Sequence, residues 1–302
     1  MLQYFAPMEG ITTHIYRKLH CKYFKGVDYY FTPFISPTMH GNFVPRERKD
    51  ILPENNKGVP VVPQILTNNI EYFIQTAQEL KDYGYASVNL NLGCPSGTVT
   101  SKGKGAGALR DLYDLEVFLD GIFARQVLPI SIKTRIGYEN AEEWENLLEV
   151  FSCYPVQELI VHPRTRQEFY KGEVHQDLFR DTVPKAKMPL GYNGNLVNRE
   201  QLQWWKEQAG IHSVMLGRGL LRDPALLQEP VVEETYFRFF EELEEAYYEE
   251  IGNNALYKLK ELWTYAAQRY ENVDKVLKKI RKAKNRESYR KAVAEIQMLE
   301  KK

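Results

Sequence analysis

The chain has 302 residues, of which 43% are hydrophobic and 26% are charged, and its formal net charge at pH 7 is +0. This composition is typical of a folded protein with a sizeable core, and the neutral balance excludes the strong global field of a wholly basic nucleic-acid-binding protein. The three cysteines are far apart in the sequence, which predicts free thiols in a reducing compartment rather than a disulfide framework. No apolar run approaches the roughly 18 residues that span a bilayer, and residues 1–7 contain no basic leader. We therefore expect a cytoplasmic protein without a membrane segment or signal peptide.

Short apolar runs alternate with amphipathic helical patterns over the first part of the chain. The runs predict eight strands, at residues 2–6, 29–32, 59–65, 86–90, 129–133, 158–162, 188–192 and 213–216. Helical patterns lie between them, among others at residues 70–83, 115–125, 141–151 and 198–208. The last begins at Asn198 with Gln201 three residues on, the spacing of a capping box. This alternation favours an α/β fold, a (β/α)8 TIM barrel over residues 1–228, rather than an open doubly wound sheet.

From residue 229 the strand pattern stops, and residues 229–302 predict an all-helical C-terminal domain. Charge is segregated within it: residues 229–250 contain nine glutamates and one arginine, whereas residues 275–291 contain nine lysines and arginines. Two interpretations remain open. The two runs are solvated helix faces that pair with each other, or the basic run binds the phosphate backbone of a nucleic acid.

Seven of the eight predicted strands end in polar or small residues that suit a ligand. In barrel enzymes these C-terminal strand ends form the catalytic mouth. The residues are Pro7, Met8 and Glu9; Gln64; Asn91 and Cys94; Lys133 and Arg135; His162 and Arg164; Asn193, Gly194 and Asn195; and Gly217, Arg218 and Gly219. The glycines and Arg218 predict an anion site after the seventh and eighth strands, where barrels bind phosphate. The alternative is that these glycines only form tight turns.

Cys94 and Lys133 are the two most reactive side chains in this set. Cys94 follows a predicted buried strand on a sharp turn between Gly93 and Pro95. A thiol with an ordinary pKa of about 8.5 is protonated at neutral pH and can donate a proton, although a small buried residue is the structural alternative. Lys133 ends an apolar strand, where an ammonium group requires an anion or an acceptor unless it reaches the surface. No CxxC or HxxxH spacing is present, so we expect no metal site.

In combination these motifs resemble the tRNA-dihydrouridine synthase family. The matching segments are Ala-Pro-Met-Glu-Gly at 6–10, Asn-Leu-Gly-Cys-Pro-Ser at 91–96, Lys-Gly-x-Gly-Ala-Gly-x-Leu at 102–109, Lys-Thr-Arg at 133–135, His-Pro-Arg-Thr at 162–165, Asn-Gly-Asn at 193–195 and Gly-Arg-Gly at 217–219. They follow in order along the predicted barrel. The segment from residue 256 onward is more loosely similar to the helical tRNA-binding domain of that family.

The resemblance implies a barrel that binds FMN, with NADPH as reductant and Cys94 as the acid that protonates C5 of a uracil after hydride reaches C6. It implies FMN contacts from Pro7, Met8, Glu9, Gln64, Lys133, His162, Asn193, Gly194, Asn195, Gly217 and Arg218. It also implies that Asn91, Arg135 and Arg164 face the base and that Lys102 and Lys104 meet the tRNA backbone. The expected partner is tRNA, with no membrane and no metal, and the expected state is a monomer.

Two other functions compete with this one: an FMN barrel that acts on a free pyrimidine, of the dihydroorotate or dihydropyrimidine type, and a catalytically silent RNA-binding barrel. A free-pyrimidine enzyme has no need of a basic helical appendage. Swinging a uridine out of folded tRNA costs a few kcal/mol, which phosphate contacts distant from the base can offset. The third function leaves Cys94, Lys133 and the two glycine turns without a purpose.

Overall fold

The computed structural model describes residues 1–38 and 43–301 and contains nine parallel strands in a nearly closed barrel. Their order around the barrel is β3-β2-β1-β9-β8-β7-β6-β5-β4. The bounds are β1 Leu2–Phe5, β2 Tyr29–Phe31, β3 Val61–Val62, β4 Gln64–Ile65, β5 Val88–Leu92, β6 Ile130–Gly137, β7 Leu159–Thr165, β8 Leu190–Tyr192 and β9 Ile211–Leu216. The predicted TIM barrel is confirmed.

The third predicted strand is present as two short strands, β3 and β4, on either side of Pro63. Proline has no N–H to donate, so it interrupts the ladder at this point. β3 pairs with β2 and β4 pairs with β5, and the Asn89 N–H donates to the Pro63 carbonyl at 2.9 Å. The two strands together therefore occupy a single position of an eight-position barrel.

Strands β6 and β7 are longer than predicted, ending at Gly137 and Thr165 instead of residues 133 and 162. They pair along most of this length, with one register irregularity between Arg135 and Gly137. Arg135 and Arg164 consequently lie inside paired strands rather than on the loops after them.

Helices surround the barrel and continue beyond it. The α-helices are α1 His14–Tyr23, α2 Pro45–Ile51, α3 Ile70–Asp82, α4 Gly97–Thr100, α5 Leu112–Ala124, α6 Trp144–Phe151, α7 Gln176–Thr182, α8 Arg199–Glu207, α9 Arg218–Arg222, α10 Glu233–Ile251, α11 Ala255–Ala266, α12 Asp274–Lys282 and α13 Arg286–Ala294. Short 3₁₀ segments span Pro53–Asn56, Gly105–Arg110, Ala141–Glu143, Gly252–Asn254, Ala267–Arg269 and Glu295–Met298. None of the helices in the described ranges is long and apolar enough to cross a membrane.

The capping of α8 differs from the prediction in one detail. Asn198 accepts a hydrogen bond from the Gln201 N–H at 2.9 Å, as expected of an N-cap residue. The Gln201 side chain, however, accepts from the N–H of Val197 at 2.9 Å, one residue earlier than in a capping box.

The side chains of each strand alternate between two apolar regions. One region lies between the strands and the surrounding helices and contains Val88, Leu90 and Leu92 of β5. The other lies inside the barrel and consists of Tyr4, Ala6, Phe31, Val62, Ile160 and Met215. Because strand side chains alternate with a period of two, Asn89 and Asn91 of β5 face the barrel interior.

The helices that follow the barrel pack directly against it. The Phe239 ring of α10 lies 5.1 Å from that of Phe24, measured between centroids. The Lys258 ammonium of α11 donates to the carbonyl of Gly10 at 2.6 Å, on the turn after β1. The helical region is thereby held beside the mouth of the barrel.

Candidate functional site

A cavity of about 460 Å³ opens at the C-terminal ends of the strands. This volume lies within the range of small-molecule and cofactor sites. Ten of the predicted strand-end residues line it: Pro7, Met8, Lys133, Arg135, His162, Asn193, Asn195, Gly217, Arg218 and Gly219. They come from five of the barrel strands or the turns after them.

The charge of this cavity is entirely positive. Lys133, Arg135 and Arg218 line it, and its lining within residues 1–38 and 43–301 includes no aspartate or glutamate. Burial, and then the neighbouring Arg135, lower the pKa of Lys133 from 10.5 to about 7. The Lys133 ammonium has no hydrogen-bond partner among the described residues. A cation in this position is stabilised by an anionic ligand.

His162 is buried in the wall of the cavity, with only 7% of its surface exposed. Burial and the cations of Arg135, Lys133 and Arg164 hold its pKa well below the ordinary value. The imidazole is therefore neutral at physiological pH. A neutral imidazole can accept or donate a hydrogen bond without adding charge to the cavity.

Arg135 is held in the wall by backbone carbonyls rather than by an acid. Its Nε donates to the Gly93 carbonyl at 2.9 Å, and its NH1 donates to those of Thr165 and Phe169 at 2.8 Å each. Arg164 is fixed in the same way, with Nε and NH2 donating to the Gly172 carbonyl at 2.9 and 2.7 Å. Both guanidinium groups thus lie at the mouth of the barrel without an ion pair in the described residues, although the carboxylate of Glu168 acts electrostatically on Arg164.

Tyr170 covers this group of cations on the solvent side. Its ring centroid lies 5.2 Å from the Arg135 guanidinium, 5.4 Å from that of Arg218 and 6.0 Å from the His162 ring. The side chain is 54% exposed, which is unusual for a large aromatic residue at a cavity wall. Tyr170 could not be predicted from the strand-end pattern, because the residue lies on the long connection between β7 and α7.

Two further residues that the sequence analysis missed come from the helical region. Tyr265 of α11 and Gln268, just after it, line the cavity near Arg218. Nothing in their local sequence indicates this position. It follows from the packing of α11 against α9.

Cys94 lies on the turn after β5, next to Gly93, which lines the cavity. Its N–H and that of Gly93 donate to Oδ1 of Asn91 at 2.9 and 3.0 Å, which fixes the turn. Gly105, at φ +57°, packs against Cys94, and a Cβ there would lie 2.9 Å from the Cys94 carbonyl oxygen. Burial raises the pKa of the Cys94 thiol, with Glu9 acting in the same direction and Arg135 and Lys133 opposing.

Gln64 and Asn91 are buried beneath the cavity and do not line it. Gln64 is 0% exposed, and its amide lies between those of Asn89 and Asn91, with 2.7 Å hydrogen bonds to both. The sequence placed each residue at a strand end but did not reveal that the two side chains bind each other.

The remaining predicted residues lie around the cavity. Glu9 forms an ion pair with Arg46. Gly194 is explained by packing, because a Cβ there would lie 2.7 Å from the Tyr192 hydroxyl. Lys102 and Lys104 lie on the loop after Cys94, where burial and Lys102 lower the pKa of Lys104.

Gly217 and Gly219, at the predicted anion site, differ from each other. A Cβ at Gly219 would lie only 2.1 Å from the Leu196 carbonyl oxygen, so this glycine permits close backbone packing. At Gly217 the nearest such contact is the Met8 sulfur at 3.1 Å, and the residue lines the cavity.

In the described residues, no group of three or more His, Cys, Asp and Glu side chains is arranged to hold a metal ion.

The two charged runs of the helical region are partly paired and partly free. Arg286 and Arg290 of α13 both bind Glu244 and Glu245 of α10, and Lys279 binds Glu295. Five exposed cations have no carboxylate partner in the part of the chain that the structure describes: Lys275, Lys278, Arg281, Lys282 and Lys284, which we call the α12 patch. The pairing interpretation is therefore confirmed for Arg286 and Arg290, and phosphate binding stays a prediction for the α12 patch.

Comparison with known proteins identifies the family of this chain and agrees with its fold. The sequence profile of the family described as Dihydrouridine synthase (Dus) matches residues 4–302. A probable tRNA-dihydrouridine synthase of Staphylococcus aureus strain Mu50 is 30% identical over 236 residues, covering 74% of this chain and 70% of the relative. A probable tRNA-dihydrouridine synthase 2 of Bacillus subtilis strain 168 is 29% identical over 239 residues, covering 74% and 71%. The chain belongs to the dihydrouridine synthase family.

Solved structures with little sequence similarity share the barrel. A morphinone reductase mutant in complex with tetrahydroNAD aligns with a TM-score of 0.52 at 12% identity, covering 79% of this chain and 87% of that one. A 2-naphthoyl-CoA reductase complex aligns with a TM-score of 0.54 at 12% identity, covering 74% and 49%. At this identity the likeness establishes the fold alone.

Proposed function

We propose that this protein reduces uridines in tRNA to 5,6-dihydrouridine, using FMN and NADPH, with Cys94 as the proton donor. The observation that carries the proposal is the cavity at the barrel mouth. It is lined by three basic residues and, within the described residues, by no acid, and Cys94 follows directly after Gly93, which lines it.

The residues present suit FMN, which carries a phosphate and an electron-rich ring. Gly217 and Arg218, with Asn193 and Asn195, would hold the phosphate end, and Pro7, Met8, Lys133 and His162 would surround the ring. The partnerless Lys133 ammonium supports this assignment, because it requires an anion or an acceptor. When bound, FMN supplies hydride transfer, and NADPH supplies the electrons.

The protein's own contribution is to position the base and to deliver a proton. Cys94 has a pKa above the ordinary value, so its thiol carries the proton at neutral pH and can give it to C5 of a uracil. Arg135 and Arg164 are fixed by carbonyl oxygens and would meet the base carbonyls with their remaining N–H groups.

The α12 patch favours tRNA over a free pyrimidine as the substrate. Five exposed, unpaired cations lie on the helical region, which we assign to residues 229–302 as a tRNA-binding domain beside the barrel of residues 1–228. Phosphate contacts there, and at Lys102 and Lys104, would offset the cost of swinging the uridine out of the RNA. A monomer in the cytoplasm would suffice for this reaction.

The test is to incubate the purified protein with NADPH and unmodified tRNA and to map dihydrouridine by nucleotide. We expect a yellow protein that forms dihydrouridine at defined positions. Cys94→Ala should retain FMN and tRNA binding and lose at least about 100-fold in turnover, the lower range for loss of a general acid. Cys153→Ala, at an exposed thiol, is the matched control and should be fully active. A colourless protein that FMN does not reconstitute, or full activity of Cys94→Ala, would refute the corresponding part of the proposal.

A further inference from the structure

A chain of hydrogen-bonded side chains runs beneath the cavity from β6 to the Cys94 turn. Ser131, Asn89, Gln64 and Asn91 are 5%, 0%, 0% and 7% exposed, respectively. They come from three neighbouring strands and face the barrel interior. We call them the amide relay.

The direction of every hydrogen bond in the relay is determined by the Cys94 turn. The backbone N–H groups of Gly93 and Cys94 can only donate, so the Asn91 atom that they contact at 3.0 and 2.9 Å must be the oxygen. The Asn91 amide nitrogen therefore donates to Gln64 Oε1 at 2.7 Å.

The same constraint passes along the rest of the relay. Because Gln64 Oε1 accepts from Asn91, its Nε2 donates to Asn89 Oδ1 at 2.7 Å. The Asn89 nitrogen then donates to the Ser131 hydroxyl at 2.9 Å, and that hydroxyl points toward the Val88 carbonyl at 3.4 Å. All three amides have a single allowed orientation.

The relay has a consequence for the site above it. Both lone pairs of Asn91 Oδ1 are occupied by the turn, so Asn91 retains one N–H hydrogen as its only free hydrogen-bonding capacity. Breaking the relay at Asn89 leaves the Gln64 N–H buried without a partner, which costs about 1–3 kcal/mol and favours a shift of Gln64 away from its contact with Asn91.

We infer that Asn89 and Ser131 are positioning residues for the reaction: acting through Gln64 and Asn91, they hold the turn that presents the Cys94 thiol. This inference rests on the proposed function for its kinetic consequence. Its structural consequence, a fixed Cys94 turn, is measurable without any substrate.

The experiment uses a Cys21→Ser/Cys153→Ser background, so that Cys94 is the only thiol. Asn89→Leu removes the acceptor for Gln64. Asn89→Asp retains it, and the Ser131 hydroxyl can turn to donate to the second carboxylate oxygen. Leu90→Val, a change on the same strand that faces the helices, is the matched control. Each variant is assayed for FMN content, for the alkylation rate of Cys94 by iodoacetamide across pH, and for the NADPH-dependent and tRNA-dependent half-reactions.

In Asn89→Leu we expect Cys94 to be alkylated at least 5-fold faster than in the parent protein. The pH midpoint of alkylation should also move down toward that of an ordinary thiol, because burial raises the pKa of Cys94 in the intact turn. The tRNA-dependent half-reaction should fall by about 10- to 100-fold, while FMN content and the NADPH half-reaction stay unchanged. Asn89→Asp should stay within about 3-fold of the parent in both alkylation and turnover.

Two results would overturn the inference. Unchanged alkylation of Cys94 in Asn89→Leu would show that the relay does not hold the turn. Alkylation of Cys94 as fast in Asn89→Asp as in Asn89→Leu would show that an acceptor for Gln64 at position 89 does not hold the turn. If the parent protein reduces no tRNA uridine, the proposed function fails, and the alkylation measurements still decide whether the relay positions Cys94.

Discussion

Replacing Lys133 by methionine should stabilise the cofactor-free protein while weakening its binding of an anionic cofactor. Methionine has about the same length as the lysine stem and needs no partner for a charge. In the wild type, by contrast, the ammonium is buried beside Arg135, and no acid among the described residues lines the cavity. On the proposed function, the lysine would contribute to cofactor binding at the expense of stability.

The size of this effect follows from the pKa of Lys133, which burial lowers from 10.5 to about 7. Between these values the unfolded chain binds more protons than the folded protein, so the free energy of unfolding of the wild type rises with pH in this window. Each pH unit corresponds to about 1.4 kcal/mol. The gain in free energy of unfolding from Lys133→Met is therefore largest below pH 7, where its upper limit is about 5 kcal/mol. This gain shrinks as the pH rises to 10.5.

The assay is urea unfolding of the FMN-free proteins at several pH values from 6 to 9. Between pH 7 and 9 the stability difference between Lys133→Met and the wild type should shrink by about 2 kcal/mol. Lys187→Met, at an exposed lysine before β8, is the control and should change stability by no more than about 0.5 kcal/mol. A difference between Lys133→Met and the wild type that is independent of pH would refute the reasoning.

Two further sets of variants test the helical region and the mouth of the barrel. Charge reversal of Lys275, Lys278 and Lys282 to glutamate should raise the KM for tRNA and reduce the slope of log affinity against log salt by about 2–3, one phosphate contact per lysine. The same reversal of the exposed Lys57, Lys185 and Lys187, at the opposite end of the barrel, is the control and should change neither quantity. Equal slopes in the two triple variants would contradict tRNA binding by the α12 patch. Tyr170→Leu should raise the KM for tRNA by about 5- to 100-fold, because it removes an exposed stacking surface. Tyr170→Phe retains the aromatic ring and should keep the KM of the wild type. Steady-state kinetics in which both variants behave like the wild type would exclude a stacking role.

The barrel could be predicted from the sequence because its signal is local. Each strand is a short apolar run between turn residues, and alternation with helices permits few topologies. Because the pattern is local, it also predicts that Cys94, Lys133 and His162 lie at or just after strand ends. Strands β6 and β7 were predicted too short because Arg135 and Arg164 are polar, although pairing between the two strands extends past both residues.

Contacts between distant segments are what the sequence could not supply. Tyr265 reaches the cavity only because α11 packs against α9, and the pairing of Arg290 with Glu244 joins residues 46 positions apart. The amide relay was partly visible. Asn89 and Asn91 alternate with leucines at the strand period, which indicates one polar face inside the barrel. Their hydrogen bonds to Gln64, and that of Asn89 to Ser131, depend on the registers of three strands.

The electrostatics of the site favour an acid over a nucleophile at position 94. A cysteine nucleophile needs a lowered pKa, usually from an adjacent imidazolium or a desolvated cation. Here Arg135 and Lys133 do lower the pKa of Cys94, but burial outweighs them, and the same burial keeps His162 neutral and brings Lys133 close to neutrality. The burial that lowers the pKa of Lys133 and His162 therefore leaves the proton on the Cys94 thiol, where the proposed reduction, which requires a proton donor, would use it.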